Sequence, residues 1–330
     1  MVALGGSIEG RRLLVTGAYG LLGSAVVGAA LQQGGLPSLL SREDHPEGAL
    51  EAAGLLEQCR EIRADVSDQE AVQRAFEEAR PEVVIHLAGV SLVGAAALSP
   101  RDAVISSVTG TVNILEESRQ AGVGAVLVAS SDKAYGASDV LPYTEEMPLR
   151  PKYPYEAAKA AADVIARSYW ASYGLPVAVV RSANLYGPGD TNRSRLVPGT
   201  IAAVLSGDGP EVRSDGSPER DYLYVADAAR AYLLLAEALL AGSGAGEPFN
   251  VGSGTAHTSL EIVDRIIEIA GSDVVPVVRG SGVPKGEIAR QAIDSRKIAD
   301  LTGWLPEVGL REGLAETLDW YRAHPGSLGI

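Results

Sequence analysis

Short apolar runs alternate with amphipathic stretches through the first half of the chain. The runs at 12–16, 37–40, 83–87, 126–130 and 177–181 are rich in leucine and β-branched residues, with little polar alternation. Strands buried on both faces read this way. Between them, residues 21–33, 69–79, 102–121 and 156–173 repeat their apolar positions at helical spacing, and Gly34-Gly35 and Gly122 supply helix stops. Strand–helix alternation of this kind predicts an α/β fold built on a doubly wound parallel sheet.

After about residue 181 the rhythm breaks. Glycine and proline become dense at Gly187-Pro188-Gly189, at Gly207-Asp208-Gly209-Pro210 and over 252–254, and helical patterns return at 226–241, 259–270 and near 311–322. The expected organisation is a dinucleotide-binding part over 1–181, to which the chain returns at about 217–240. Residues 182–330 form mainly a smaller, interleaved substrate-binding part. No internal repeat or low-complexity linker interrupts it.

Composition narrows the function classes. The chain has 330 residues, 46% hydrophobic and 21% charged, enough for a well-buried core of ordinary globular character. The N-terminus lacks the basic and apolar regions of a signal peptide, and the apolar runs are too short to span a bilayer. No membrane is expected as a partner. A single cysteine, Cys59, excludes an internal disulfide and fits a reducing compartment, so a cytoplasmic location is expected. The formal net charge of −14 argues against nucleic acid, which needs a basic field. A small anion needs only a local cluster, and Arg193, Arg195, Arg213, Arg220, Arg279 and Arg290 are available in the C-terminal half.

The first strand runs into Val15-Thr16-Gly17-Ala18-Tyr19-Gly20-Leu21-Leu22-Gly23, which opens the first helix. The glycines permit a tight turn and close approach of backbone to a pyrophosphate, which the helix N-terminus then meets with free N–H groups. Strand, motif and helix in this order make the sheet Rossmann-like and the cofactor NAD or NADP. Gly17, Tyr19, Gly20, Leu21, Leu22 and Gly23 are the expected cradle. The second strand ends in Ser41-Arg42, where an acidic residue would hold the ribose hydroxyl of NAD; serine and arginine suit a 2′-phosphate, so NADP is favoured. A third strand is expected just before Asp65-Val66, and the fourth, at 83–87, ends in His86-Leu87-Ala88-Gly89, expected to line the cofactor, with His86 structural. No metal is expected.

Tyr155-Glu-Ala-Ala-Lys159 places a phenol and an ammonium one helical turn apart on one face. Tyrosine has a pKa of about 10, and a nearby ammonium together with a cationic nicotinamide would favour its phenolate. Tyr155 can then act as the base in an alcohol oxidation. At the end of the fifth strand stands Ser130-Ser131-Asp132-Lys133-Ala134-Tyr135-Gly136, in which Ser131 would hydrogen-bond the reacting hydroxyl.

Taken with Arg181-Ser-Ala-Asn184-Leu-Tyr-Gly-Pro188 and Arg220-Asp-Tyr-Leu-Tyr-Val-Ala-Asp227, these motifs resemble the extended short-chain dehydrogenase/reductase family of nucleotide-sugar epimerases and dehydratases. The likeness runs from about Arg11 to Arg322. Within the family, Ser131-Asp132-Lys133 is similar to the Thr/Ser-Asp-Lys of CDP-glucose 4,6-dehydratases, where TDP-glucose dehydratases carry Thr-Asp-Glu.

The resemblance implies roles. Tyr155 is the oxidation base supported by Lys159 and Ser131, and Asp132 and Lys133 are the acid and base of an elimination. Asp65 and Val66 contact the adenine. Asn184 binds the sugar diphosphate, Leu196 and Val197 border the nucleotide base with Arg195 and Arg213 nearby, and Arg220 pairs with a phosphate. Glu287 and Gln291 close over the nucleotide. Two departures stand out. Ser107 occupies a position where many relatives have asparagine, and Gly89-Val90-Ser91 replaces bulkier residues, which implies a roomier pocket floor. The implied partner is a nucleotide-diphosphate sugar, and the implied assembly is a homodimer pairing helices 102–121 and 156–173, with Ala157, Ala158, Ala160 and Ala161 permitting close approach. Three functions remain open: a 4,6-dehydratase, a 4-epimerase or related isomerase, and a cofactor-binding sensor without turnover.

Overall fold

The computed structural model describes residues 7–42, 48–284 and 286–330. Seven strands form one all-parallel sheet. They are β1 (Arg12–Thr16), β2 (Leu36–Ser41), β3 (Arg60–Arg63), β4 (Val83–His86), β5 (Ala125–Ala129), β6 (Val177–Ser182) and β10 (Pro248–Val251), in the order β10-β6-β5-β4-β1-β2-β3. Smaller sheets join β7 (Asn184–Tyr186), β9 (Glu219–Tyr224) and β11 (Ala256–Thr258), and β8 (Glu211–Val212) with β12 (Val277–Val278).

Side-chain alternation along the central strands builds two cores. Leu13, Val15, Val83, Ile85, Leu127 and Val180 point to the face covered by helices Leu21–Gln32 and Val225–Leu240. Leu14, Val84, Val126, Val128, Val177 and Val179 point to the other, under helices Gln69–Ala79, Gly110–Ala121 and Pro154–Tyr173. Both faces are buried, which is why these strands carry unbroken apolar runs. A third core, with Tyr186, Ile201, Tyr222, Ile262, Leu314 and Leu318, unites helices Leu196–Leu205, Ser259–Ala270 and Leu310–Ala323 beside the sheet's carboxyl edge.

Several elements differ from the sequence reading. The stretch expected as one helix over 102–121 runs from Pro100 and contains a π turn at Ile105–Thr109. There Ser107 lies against Gly89, whose hypothetical Cβ would come within 2.9 Å of the serine Oγ. Strand β10 joins the main sheet from a segment assigned to the substrate part. Ala158 and Ala160 are buried within the chain, so only Ala157 and Ala161 of the four small residues are turned outward.

Candidate active site

Parallel strands all present their carboxyl ends to one edge, and β1 and β4 lie at the point where the chain's winding reverses. A crevice opens there. Gly17 leaves β1 with φ +67°, in the left-handed region, and its hypothetical Cβ would meet the Ala88 nitrogen at 3.0 Å. A Cβ on Gly23 would come within 2.2 Å of the Gly17 carbonyl. The glycines therefore let loop, helix and fourth strand close on one another, and helix Leu21–Gln32 starts with no side-chain cap and no acidic residue in its first turn. Backbone N–H groups left free in this way fit the pyrophosphate of a dinucleotide.

His86 supports the cradle from below. Thr16 Oγ1 accepts from the Leu87 and Ala88 amides and donates to His86 Nδ1, at 3.1, 3.0 and 2.7 Å. Thr111 donates to the Ser107 carbonyl at 2.6 Å, so its oxygen is left to accept from His86 Nε2 at 3.1 Å. Burial drives the imidazole pKa down to about 3, and the residue is a neutral structural strut.

At the β2–β3 end, the Arg42 guanidinium lies 3.8 Å from the Asp65 carboxylate and is largely exposed. Burial raises the Asp65 carboxyl, but hydrogen bonds from Ser67 and the Arg42 charge hold it below its usual value. Ser41 closes β2 next to Arg42, and Val66 packs against Gly110. Tyr19 reaches from the glycine loop to donate to the Glu61 carboxylate on β3.

The chemical centre occupies the other side of the crevice. A cavity of about 420 Å³ is bounded by the glycine loop, Leu87, Ser131, Lys133, Tyr155 and Lys159, and extends to Asn184 and Arg220. Ser131 caps the short turn Asp132–Tyr135: its hydroxyl donates to Asp132 Oδ1 at 3.0 Å and accepts from the Lys133 amide at 3.2 Å. Asp132 is 1% exposed, and its Oδ2 has no partner among the described residues. The Lys133 ammonium donates to Asn184 Oδ1 at 2.7 Å and stands 3.6 Å from Asp132. Burial lowers the Lys133 pKa and Arg220 adds to this, against the opposing pull of Asp132.

Tyr155 and Lys159 project from the first turns of helix Pro154–Tyr173. Proline at the first helical position and Glu156, accepting from the Lys152 and Tyr153 amides at 2.7 and 3.2 Å, start that helix firmly. Arg181 pins it to β6 through two bonds to Asp163, 2.8 and 3.1 Å, in a buried pair that Tyr135 completes. The expected lowering of the Tyr155 pKa is not what the free protein has. Burial raises it, Asp132 adds to the rise, and Ser131 and Arg195 pull it back. Lys159 spends its ammonium on the Ala129 carbonyl at 2.9 Å, and desolvation brings its own pKa down to about 8.

On the substrate side, Arg220 is held by the Glu287 carboxylate at 3.2 Å and by the Glu219 carbonyl at 2.8 Å. Arg195 reaches Asp190 at 2.9 Å and Ser91 at 3.1 Å, just ahead of Leu196 and Val197, which also line the cavity. Three residues expected at the chemical and substrate side do not line the cavity: Arg213 is exposed, Gln291 is wholly buried, and Asp132 is buried beside Lys133. Ser91, Ser182, Asp190, Tyr222 and Tyr232 line it too: Ser91 belongs to the stretch expected at the pocket floor, Ser182 and Tyr222 stand inside motifs quoted above without an assigned role, and nothing in its local sequence marks Tyr232. A second hollow, about 430 Å³, lies against Arg11, Arg12, Arg80 and Glu82, with Arg11 and Arg12 both paired to Glu82 and no catalytic acid–base set among the described residues that line it.

Comparison with known proteins gives a consistent result. Residues 13–252 match the model of the NAD dependent epimerase/dehydratase family. The chain is 34% identical over 321 residues to a dTDP-glucose 4,6-dehydratase of Streptomyces griseus, with 94% of each chain covered. Among solved structures, a UDP-glucose 4-epimerase of Thermotoga maritima with UDP-glucose superposes with a TM-score of 0.87 at 30% identity, covering 95% of this chain and 99% of that one. A double mutant of the dTDP-glucose 4,6-dehydratase DesIV of Streptomyces venezuelae, solved with NAD bound, superposes with a TM-score of 0.85 at 30% identity, covering 96% and 98%. With the family model matched over most of the chain and these relatives matched nearly end to end, this protein belongs to the NAD-dependent epimerase/dehydratase family.

Proposed function

We propose that this enzyme is a nucleotide-sugar 4,6-dehydratase. It oxidises C4 of a hexose, eliminates water across C5–C6 and reduces C6, giving a 4-keto-6-deoxy sugar nucleotide. The observation that carries this reading is a desolvated amine, Lys133, lining the oxidation site of Ser131, Tyr155 and Lys159, with the buried Asp132 carboxyl 3.6 Å from it. Epimerisation at C4 has no use for Lys133 and Asp132.

The dinucleotide supplies the hydride acceptor at C4 and the donor at C6. Tyr155 takes the C4 hydroxyl proton, with Ser131 bonded to the same oxygen. Burial works against the phenolate in the free protein, so the positive charge that arrives with the oxidised cofactor favours it. Once C4 is a ketone the C5 hydrogen is acidic. Lys133 removes it, and Asp132 protonates the C6 hydroxyl, which leaves as water. Lys133 returns its proton to C5 when C6 receives hydride. Over the cycle the proton taken at Tyr155 replaces the one given up by Asp132. Asn184 fixes the Lys133 amine, and Arg220 exchanges Glu287 for the substrate's diphosphate.

Finer features follow from the same reading. Ser41 and the exposed Arg42 guanidinium suit a 2′-phosphate, which favours NADP over NAD, and titration with each cofactor ranks them. Leu196 and Val197 border the base. A cytoplasmic location agrees with a lone, unpaired Cys59 and with the lack, among the described residues, of any helix long and apolar enough to cross a membrane. The epimerase reading draws support from the UDP-glucose 4-epimerase superposition. Incubation with UDP-, CDP-, GDP- and TDP-hexoses separates the two. A product lighter by one water establishes dehydration; unchanged mass with altered sugar couplings in NMR overturns it in favour of epimerisation.

A further inference from the structure

Two hydroxyls at the deep end of the cavity have no assigned role. Ser182 is the last residue of β6, and Tyr232 lies midway along helix Val225–Leu240. They are 8% and 0% exposed, both line the cavity, and the Ser182 hydroxyl stands close to the Tyr232 phenol, but neither oxygen has a well-formed hydrogen bond among the described residues. Burying a hydroxyl unmatched is costly, and a native structure normally satisfies it. A bond between the two hydroxyls would use only one of their two O–H donors, so the pair still calls for a partner that enters the cavity. Burial pushes the Tyr232 phenol far up, which keeps it a neutral donor at any working pH.

Topology identifies the partner. The pyrophosphate cradle stands over β1, and Ser41, Arg42 and Asp65 mark the adenosine side over β2 and β3. The nicotinamide half must then extend the other way, over β4, β5 and β6, where Tyr155 awaits the substrate. Ser182 ends the farthest of these strands, and the Tyr232 phenol lies near enough to Tyr155 for their charges to interact. The group that would arrive there carries an acceptor oxygen and N–H donors side by side. A hydroxyl pair, each able to donate and accept, complements it.

We propose that the Ser182 and Tyr232 hydroxyls bind the carboxamide of the cofactor's nicotinamide and so fix which face of the ring meets the sugar. This rests on the dinucleotide reading of the crevice and goes beyond it, since neither residue belongs to the glycine loop or to the acid–base set. Tyr232→Phe and Ser182→Ala are each expected to weaken NAD(P)H binding in calorimetric titration by about fivefold to tenfold, one hydrogen bond's worth. Ser182→Thr, which keeps the hydroxyl, should recover most of the loss. ADP-ribose and its 2′-phosphate lack the nicotinamide, and their affinities should stay within about twofold of the parent's, which also certifies that the variants fold. Unchanged dinucleotide affinity in both variants overturns the assignment, and so does an equal loss for ADP-ribose, which would make the pair a structural strut. A parent protein that binds neither ligand would sink the dinucleotide reading first, and the hydroxyl assignment with it.

Discussion

Asp132 and Lys133 are adjacent in sequence yet carry separate duties, and that separation can be tested. Lys133→Met removes an amine that lines the cavity without touching Tyr155, Lys159 or the glycine loop. Added substrate should therefore still reduce the bound cofactor, while dehydration falls by at least about a hundredfold, the usual worth of a positioned general base. Exchange of the C5 hydrogen with deuterated solvent should stop as well. Tyr155→Phe should halt the reaction earlier, with no cofactor reduction. Near-parental dehydration by Lys133→Met would falsify the base assignment. Lys159 gives a second residue-scale prediction. Its pKa falls from the ordinary 10.5 to about 8 on folding, so between these values the unfolded chain binds more protons and stability rises with pH. Below pH 8 the buried ammonium costs the free fold its full penalty, about 3 kcal/mol. Lys159→Met should thus melt higher than the parent at pH 7, and the gap should close as pH rises from 8 to 10.5. A gap independent of pH would mean the ammonium is not desolvated. Residues of this kind are legible in a sequence because each motif is contiguous, whereas Tyr232 joins the site only through the fold.

At the scale of elements, legibility follows burial. Strands β1, β4, β5 and β6 are buried on both faces and stand out as apolar runs, matched to within a residue or two. Strand β3, Arg-Glu-Ile-Arg, lies at the sheet edge with one buried side chain, and no periodicity reveals it. Helix Leu196–Leu205 hides behind Pro198 and Gly199, which read as a breaker although proline costs little within a first turn. The glycine loop is the opposite case, a motif whose geometry is stricter than its pattern. A methyl group on Gly23 would lie 2.2 Å from the Gly17 carbonyl and 2.7 Å from the Ala18 Cα, both backbone atoms that cannot swing aside. Gly23→Ala is expected to destabilise the fold by about 1–3 kcal/mol and to abolish measurable dinucleotide binding. Alanine at Gly54, where nothing lies within 4 Å, offers a control that keeps the cofactor even though its φ of +64° costs some stability. Full cofactor affinity in Gly23→Ala would show that the loop does not close on the helix in this way.

At the scale of the whole molecule, one surface remains to be covered. Helix Pro154–Tyr173 buries Ala158, Ala160, Ala162 and Ala166 within the chain and turns Ala157, Ala161 and Val164 outward. Beside it, the helical stretch from Pro100 to Ala121 turns out Val104, with Val108 and Val112 partly exposed at successive four-residue steps. Val104 is 48% and Val164 53% exposed. Apolar side chains aligned along two neighbouring helices suit helix–helix packing better than solvent, and small residues at 157 and 161 let a second helix approach closely. A second copy of the chain, related by a two-fold axis, would cover both stripes at once in a four-helix contact. This face is the outer side of the helix that carries Tyr155 and Lys159, so dimerisation would also brace the chemical centre. The protein is therefore expected to sediment at twice the 34.2 kDa chain mass at micromolar concentration. Val164→Arg places a charge from each protomer in that contact and should yield a folded monomer, because Val164 makes no contribution to the protomer's own core. The same monomer should lose catalytic turnover before it loses cofactor binding, since the glycine loop lies on the far side of the sheet's crevice from this face. A parent protein that sediments as a monomer, or a Val164→Arg variant that remains dimeric, would place the interface elsewhere.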